Sequence, residues 1–195
     1  MSSEVRDETF LLARARQGDL PAFEEIVRRY QRRVYGVALR IVRSHAVADD
    51  VAQDAFLRAW QALDRFELGR PFGPWVCRIA ANVAVNHVRS PVTREDPLPE
   101  GHGEARAAQG NPLDAVLDGE ARRLLDEALG GLPPEQRAVF VLRAVEDMSY
   151  REIADALGLS PGTVMSRLFR AREKLARALE PYLGSAARRR SGGRP

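Results

Sequence analysis

The chain has 195 residues, 45% of them hydrophobic and 29% charged, with a formal net charge of +3. That is the balance of a folded globular chain long enough for one or two domains, and its weak basicity alone does not point to nucleic acid. A single cysteine, Cys77, excludes an intramolecular disulfide, the three histidines His45, His87 and His102 form no zinc-spaced cluster, and no apolar run reaches membrane-spanning length.

The N-terminus, Met1 to Glu8, is polar and lacks a signal-peptide core, so a reducing cytoplasm is expected. Ala, Leu, Arg and Glu dominate and favour helix. A short helix is predicted from Glu8 to Gln17, with Gly18 as its stop. Asp19 is a suitable N-cap for the next, with Pro21 in its first turn. Phe23, Ile26, Val27, Tyr30, Val34, Val37, Ala38 and Ile41 recur in steps of three and four and mark one buried face. Ser44 can cap a helix from His45 to about Leu63. Gly69-Arg70-Pro71 breaks the chain before a helix over 71–89, which carries Phe72, Trp75, Val76, Ile79, Ala80 and Val83 on one side.

Residues 91–112 contain Pro91, Pro97, Pro99, Gly101, Gly103, Gly110 and Pro112 and read as a flexible linker. Helix resumes from Leu113 to Leu129 and ends at Gly130-Gly131. Pro133-Pro134 opens another, to about Val145. Ser149 and Glu152 form a capping box for a helix to Leu157, where Gly158 suits a left-handed C-cap. Ser160 and Pro161 open a last helix, expected to stop at Pro181, with a disordered tail over 184–195. The fold class is therefore all-α: two small helical domains, 8–90 and 113–183, joined by a flexible linker.

Residues 150–169 have the layout of a helix-turn-helix. Ala154 supplies the small residue where two helices cross, Gly158 takes the positive φ of the turn, and Val164 and Leu168 can pack back on Ile153 and Leu157. Thr163, Ser166, Arg167 and Arg170 then share the outward side of the second helix. An arginine there can bind guanine in a bidentate manner, worth about 1–3 kcal/mol of discrimination. Arg172 and Lys174 point elsewhere, toward phosphate or solvent.

Two further helices carry polar patterns. Asp49, Asp50, Gln53 and Asp54 lie within one arc of the helix from His45. This arc is either a solvated acidic face or a dock for a basic protein surface; DNA phosphates would be repelled by it. Arg78, Asn82, Asn86 and Arg89 form a stripe on the helix over 71–89, able to follow a nucleic-acid strand or to face solvent. Phe66, Phe72 and Trp75 lie beside it, as core or as platforms for unpaired bases.

The segment 48–60, Ala-Asp-Asp-Val-Ala-Gln-Asp-Ala-Phe-Leu-Arg-Ala-Trp, resembles the acidic helix of bacterial RNA polymerase sigma factors of the extracytoplasmic-function (ECF) group. The segment 72–82 is similar to that group's next helix, and 150–172 to its C-terminal helix-turn-helix. The resemblance covers about residues 22–89 and 113–183. It implies that Asp49, Asp50, Gln53 and Asp54 bind the clamp helices of the polymerase β′ subunit. It implies that Arg78, Asn82, Asn86 and Arg89, with Phe66 and Trp75, hold the melted minus-ten strand. It implies that Thr163, Ser166, Arg167 and Arg170, with Phe169 in apolar contact, read the minus-thirty-five element. It also implies the polymerase β flap, promoter DNA and an anti-sigma protein as partners, and a role in stress response. The chain departs from the family pattern at Asn86, where an acid is frequent, at Met165, where a base is common, and at Val51 and Ala52, which are smaller than the usual pair.

The mechanism so implied is binding, with no catalytic residue, cofactor or metal and no membrane insertion. A stand-alone helix-turn-helix regulator with an N-terminal sensing or dimerisation domain is the competing expectation. An enzyme is disfavoured, because no metal cluster, nucleophile with paired acids or phosphate loop is legible.

Overall fold

The computed structural model describes residues 3–90 and 119–191. Among these residues the regular structure is helical and no strand occurs, as expected for an all-α fold. The first half holds α1 (Ser3–Arg16), α2 (Leu20–Val42), α3 (His45–Gln61), a 3-10 turn (Leu63–Arg65) and α4 (Phe72–Arg89). The second holds α5 (Gly119–Gly130), α6 (Pro134–Ala144), α7 (Tyr150–Leu157) and α8 (Pro161–Ser191). Residues 91–112, expected as a linker, lie outside the described residues.

Local chemistry sets most boundaries. The Asp19 carboxylate accepts the Ala22 N–H at 3.1 Å and opens α2. Ser44 accepts the Val47 N–H at 3.4 Å and opens α3. Between them Arg43 closes α2 in the left-handed region, with φ 61°. Helix α4 begins after Pro71 and has no cap from its own segment. Its first N–H, that of Phe72, donates instead to Glu8 of α1 at 3.4 Å. Arg16 of α1 donates to the carbonyls of Leu63, at 3.2 Å, and Phe66.

Helix α2 is the spine of the first half and packs against α1, α3 and α4. Its buried stripe, Phe23, Ile26, Val34, Val37, Ala38 and Ile41, matches the sequence periodicity. Phe66, Phe72 and Trp75 form an aromatic cluster, with ring centroids 4.9 to 5.6 Å apart, and Tyr30 joins it on Phe72 at 5.3 Å.

In the second half α8 packs on α5, α6 and α7, and Leu129, Leu132, Ala171 and Leu175 close a small core of their own. The two halves are in contact: α6 rests on α2 and α4, α7 rests on α4, and one apolar core runs through both. The sequence reading ended the last helix at Pro181 and placed a disordered tail over 184–195. The structure differs up to Ser191 and carries α8 through Pro181 to that residue; residues 192–195 of the expected tail lie outside the described residues. Pro181 removes one backbone donor without forcing the chain to leave the helix. No helix among the described residues is long and apolar enough to cross a membrane.

Candidate functional site

Three surfaces bear the polar residues singled out in the sequence. On α3, Asp49, Asp50 and Gln53 are exposed, and Asp54 lies at the edge of the same arc. Asp54 is paired with Arg58 one turn on, at 3.0 Å, whereas among the described residues Asp49 and Asp50 have no cation within ion-pair distance. The negative field is felt by Tyr35, whose hydroxyl is pushed above its ordinary pKa by burial first and by Asp49 second. Leu57, 62% exposed, stands one turn beyond Gln53 on this face. The sequence reading missed it, although a leucine at i+4 from Gln53 and i+7 from Asp50 carries the signal.

On α4, Asn82, Asn86 and Arg89 are exposed and Arg78 is partly buried. Asn86 donates to Asn82 at 3.2 Å, so the two amides form one continuous polar strip. Both arginines face glutamates of the second half: Arg89 lies 3.2 Å from Glu135 and Arg78 lies 4.0 Å from Glu152. Of the aromatics placed beside this stripe, Phe66 is only 3% exposed. Its ring is consumed by the cluster with Phe72 and Trp75 and presents no free face to a base, a correction to the expected stacking role. Trp75 is partly buried.

The third surface is the helix-turn-helix. Ser149 accepts the Glu152 N–H at 3.3 Å, and Glu152 accepts the Ser149 N–H at 2.8 Å, completing the expected capping box. That engagement, hydroxyl first and backbone second, holds the Glu152 carboxyl below its ordinary range, with Arg78 and Arg70 adding smaller pulls. Gly158 sits at φ 62° and Ala154 is buried at the crossing. Ile153, Val164 and Leu168 are buried in the shared core, and Leu157 packs against it.

At the start of α8, Ser160 accepts the Thr163 N–H at 3.1 Å, and the two hydroxyls lie 2.9 Å apart. Ser166 donates to the Thr163 carbonyl at 3.0 Å. The positions opposite the buried residues Val164, Leu168 and Ala171 are those of Ser166, Phe169 and Arg170. Thr163 and Arg167 sit on one flank, partly buried, and Met165 sits on the other. Phe169 is 64% exposed and Met165 56% exposed. Among the described residues, neither Arg167 nor Arg170 lies within ion-pair distance of a carboxylate. The helix thus offers a central arginine, two hydroxyls and two apolar side chains, groups suited to base edges, phosphates and thymine methyls.

Among the described residues no group of histidines, cysteines and carboxylates could hold a metal ion. Cys77 is buried, and burial first, then Glu146, drives its thiol pKa well up, away from a reactive thiolate.

Known proteins share this arrangement. Residues 26–92 match the family model for sigma-70 region 2, and residues 122–175 match that for sigma-70, region 4. The RNA polymerase sigma-H factor of Pseudomonas aeruginosa is 37% identical over 195 residues, which span 95% of this chain and 100% of that one. The ECF RNA polymerase sigma-E factor of Escherichia coli K12 is 35% identical over 191 residues, spanning 94% and 99%. Among solved structures, CnrH in complex with the cytosolic domain of CnrY superimposes with a TM-score of 0.59 at 31% identity, over 90% of this chain and 98% of that one. The sigma factor RpoE of Bartonella quintana, solved with the anti-sigma factor NepR, has a TM-score of 0.58 at 24% identity, over 81% and 96%, and supports the fold alone. The order of acidic helix, Arg/Asn helix and helix-turn-helix, with both matched regions and full-length relatives, shows that the chain belongs to the sigma-70 family as a sigma factor of the ECF group.

Proposed function

We propose that the chain binds core RNA polymerase through α3 and directs it to promoters, with α8 reading the minus-thirty-five duplex and α4 holding the unpaired minus-ten strand. The observation that carries this reading is the separation of charge. An uncompensated acidic face with an exposed leucine lies on α3, whereas the Arg/Asn strip and the arginine-bearing recognition helix lie on α4 and α8. A negative face is of no use against phosphate and is suited to a basic protein surface such as the β′ clamp helices. Asp49, Asp50 and Gln53 are its polar contacts, Asp54 its edge and Leu57 its apolar anchor.

The recognition helix uses Arg170 and Ser166 at the centre, with Thr163, Arg167 and Phe169 alongside. On α4 the strand is followed by Arg78, Asn82, Asn86 and Arg89, with Trp75 as the aromatic residue beside them. Melting then needs no catalyst: captured bases draw the duplex toward the open state by mass action, and the polymerase supplies the chemistry. The β flap and an anti-sigma protein are further partners that family membership suggests, and the site of action is the cytoplasm.

The test is binding to core polymerase by wild type and by Asp50→Arg/Asp54→Arg, with circular dichroism to verify folding. Loss of the complex in the folded variant supports the assignment. Wild-type protein that ignores core but binds a duplex alone favours a stand-alone regulator instead.

A further inference from the structure

Helix α8 is divided lengthwise by its chemistry. Val164, Leu168 and Ala171 are buried on its inner side. On the outer side Ser166 and Arg170 hold the centre, with Thr163 and Arg167 on one edge. The opposite edge is apolar: Met165 is 56% exposed and Phe169 64% exposed. They stand four residues apart, so on a helix their side chains are neighbours.

An exposed apolar side chain standing singly needs no partner. A pair at one turn's spacing on a polar face is a patch that water disfavours. The pair belongs to neither core: α8 gives Val164 and Leu168 to the shared core and Ala171 and Leu175 to the small one. Its two ends are clear. Just before Met165 stands Gly162, where an added Cβ would meet nothing nearer than Ser160 Oγ at 3.9 Å. One turn beyond Phe169 stands Glu173, which lies 3.7 Å from Arg177, so the acid on this edge is engaged further along the helix. Arg172, seven residues after Met165, borders the apolar edge as an exposed cation.

The occupant has to match both edges at once. A protein surface that met Met165 and Phe169 would also meet Arg170, and would need an acid set beside an apolar contact. The major groove of DNA meets both with one surface. Guanine offers O6 and N7 to an arginine, and thymine offers its C5-methyl to an apolar side chain. Phosphates on the rim of the groove suit Arg172. Charge complementarity therefore favours a duplex.

We infer that Met165 and Phe169 form a methyl-reading pair, a specificity determinant that grips the C5-methyl of a thymine next to the guanine bound by Arg170. This inference rests on the reading of α8 as the helix that enters the minus-thirty-five duplex, and adds a base preference to it. The preference comes from apolar area and not from hydrogen bonds. Burial of one methyl group corresponds to about fourfold in binding.

Deoxyuridine isolates the effect, because it keeps the hydrogen-bonding groups of thymine and lacks only the methyl. Holoenzyme reconstituted from core polymerase and the full chain selects duplexes from a pool randomised over the minus-thirty-five element. Each thymine of the selected duplex is then replaced in turn by deoxyuridine. Binding is measured for wild type, Met165→Ala, Met165→Leu, Phe169→Ala and Arg170→Ala, each verified by circular dichroism. We expect a thymine position at which deoxyuridine weakens wild-type binding about fourfold. At that position Met165→Ala and Phe169→Ala should no longer distinguish the two duplexes, whereas Met165→Leu and Arg170→Ala should still do so. A selected duplex without thymine, or one whose thymines all exchange without loss, would overturn the inference. So would a difference that survives undiminished in Met165→Ala. A Met165→Ala chain that loses core polymerase would assign the pair to a protein contact instead. Should wild type not bind core, the minus-thirty-five reading itself fails. The full chain alone then selects from the same pool, and the deoxyuridine exchange still judges the methyl pair. A chain that selects no sequence in either setting defeats both.

Discussion

Ser160 and Thr163 share a hydrogen bond between their hydroxyls, 2.9 Å apart, at the first turn of α8. The residue expected to offer a hydroxyl to DNA is thus engaged in holding the helix start. Thr163→Ala is expected to weaken duplex binding less than Arg170→Ala does. Truncating Arg170 is expected to cost about 1–3 kcal/mol and to relax discrimination at one base pair. Fluorescence anisotropy on a set of singly substituted minus-thirty-five duplexes measures both effects. An equal loss from the two substitutions would return Thr163 to the base-reading set.

Leu57 is exposed on the acidic face, so its removal tests docking without disturbing the core. Leu57→Ala is expected to leave the unfolding free energy within about 0.5 kcal/mol of wild type. It should still weaken the core polymerase complex by more than 1 kcal/mol, roughly the threshold for a central anchor. Titration of labelled protein with core, beside thermal unfolding, gives both numbers.

The capping carboxylates Asp19 and Glu152 both titrate below their ordinary values. The Ala22 N–H, then Arg14, lowers the first; the hydroxyl and backbone of Ser149 lower the second. A group whose folded pKa is depressed adds stability above its unfolded pKa and loses it as pH falls through the folded one. Stability should therefore decline on acidification from the ordinary carboxylate values of 3.8 and 4.5 downward. Ser149→Ala is expected to cost about 1 kcal/mol near neutral pH and to make the acid limb shallower. Denaturant unfolding across the acid range checks it, and an unchanged slope would mean the capping box contributes no linkage.

Gly158 at φ 62° is a position where a side chain is strained. Gly158→Ala should destabilise by about 1 kcal/mol, and Gly131→Ala, at a position without positive φ, should cost less. Thermal unfolding of both variants measures the difference.

Phe66 separates the two roles that the sequence left open for the aromatics. Because its ring is buried among Phe72 and Trp75, Phe66→Ala is expected to cost about 3–5 kcal/mol of stability. The exchange Phe66→Leu keeps much of the volume and should leave strand binding near wild type. A large binding loss in a folded Phe66→Leu protein would restore the stacking role.

What the sequence disclosed and what it hid divide by distance along the chain. Asp19, Ser44, Ser149 with Glu152, Gly158 and Ser160 act within four residues of themselves, so spacing alone places them. The stripe on α2 is likewise a local period. Phe66 sits between elements, where no period says which way a ring turns, and its burial needs Phe72 and Trp75 together. The ion pair of Arg33 and Glu146 spans 113 residues, a separation at which no local period reports a contact. The hydroxyl bond of Thr163 was hidden differently: one side chain had two partners to choose from, the helix start and the DNA. Pro181 misled because a proline signals a stop that the helix backbone can tolerate.

Arg16 grips the carbonyls at Leu63 and Phe66, and Glu8 accepts the first N–H of α4. Both belong to α1, which lies before the matched region beginning at residue 26. This opening helix is a splint. It fixes the two ends of the turn that leads from α3 to α4, and so sets the angle between the helix proposed to grip polymerase and the helix proposed to grip DNA.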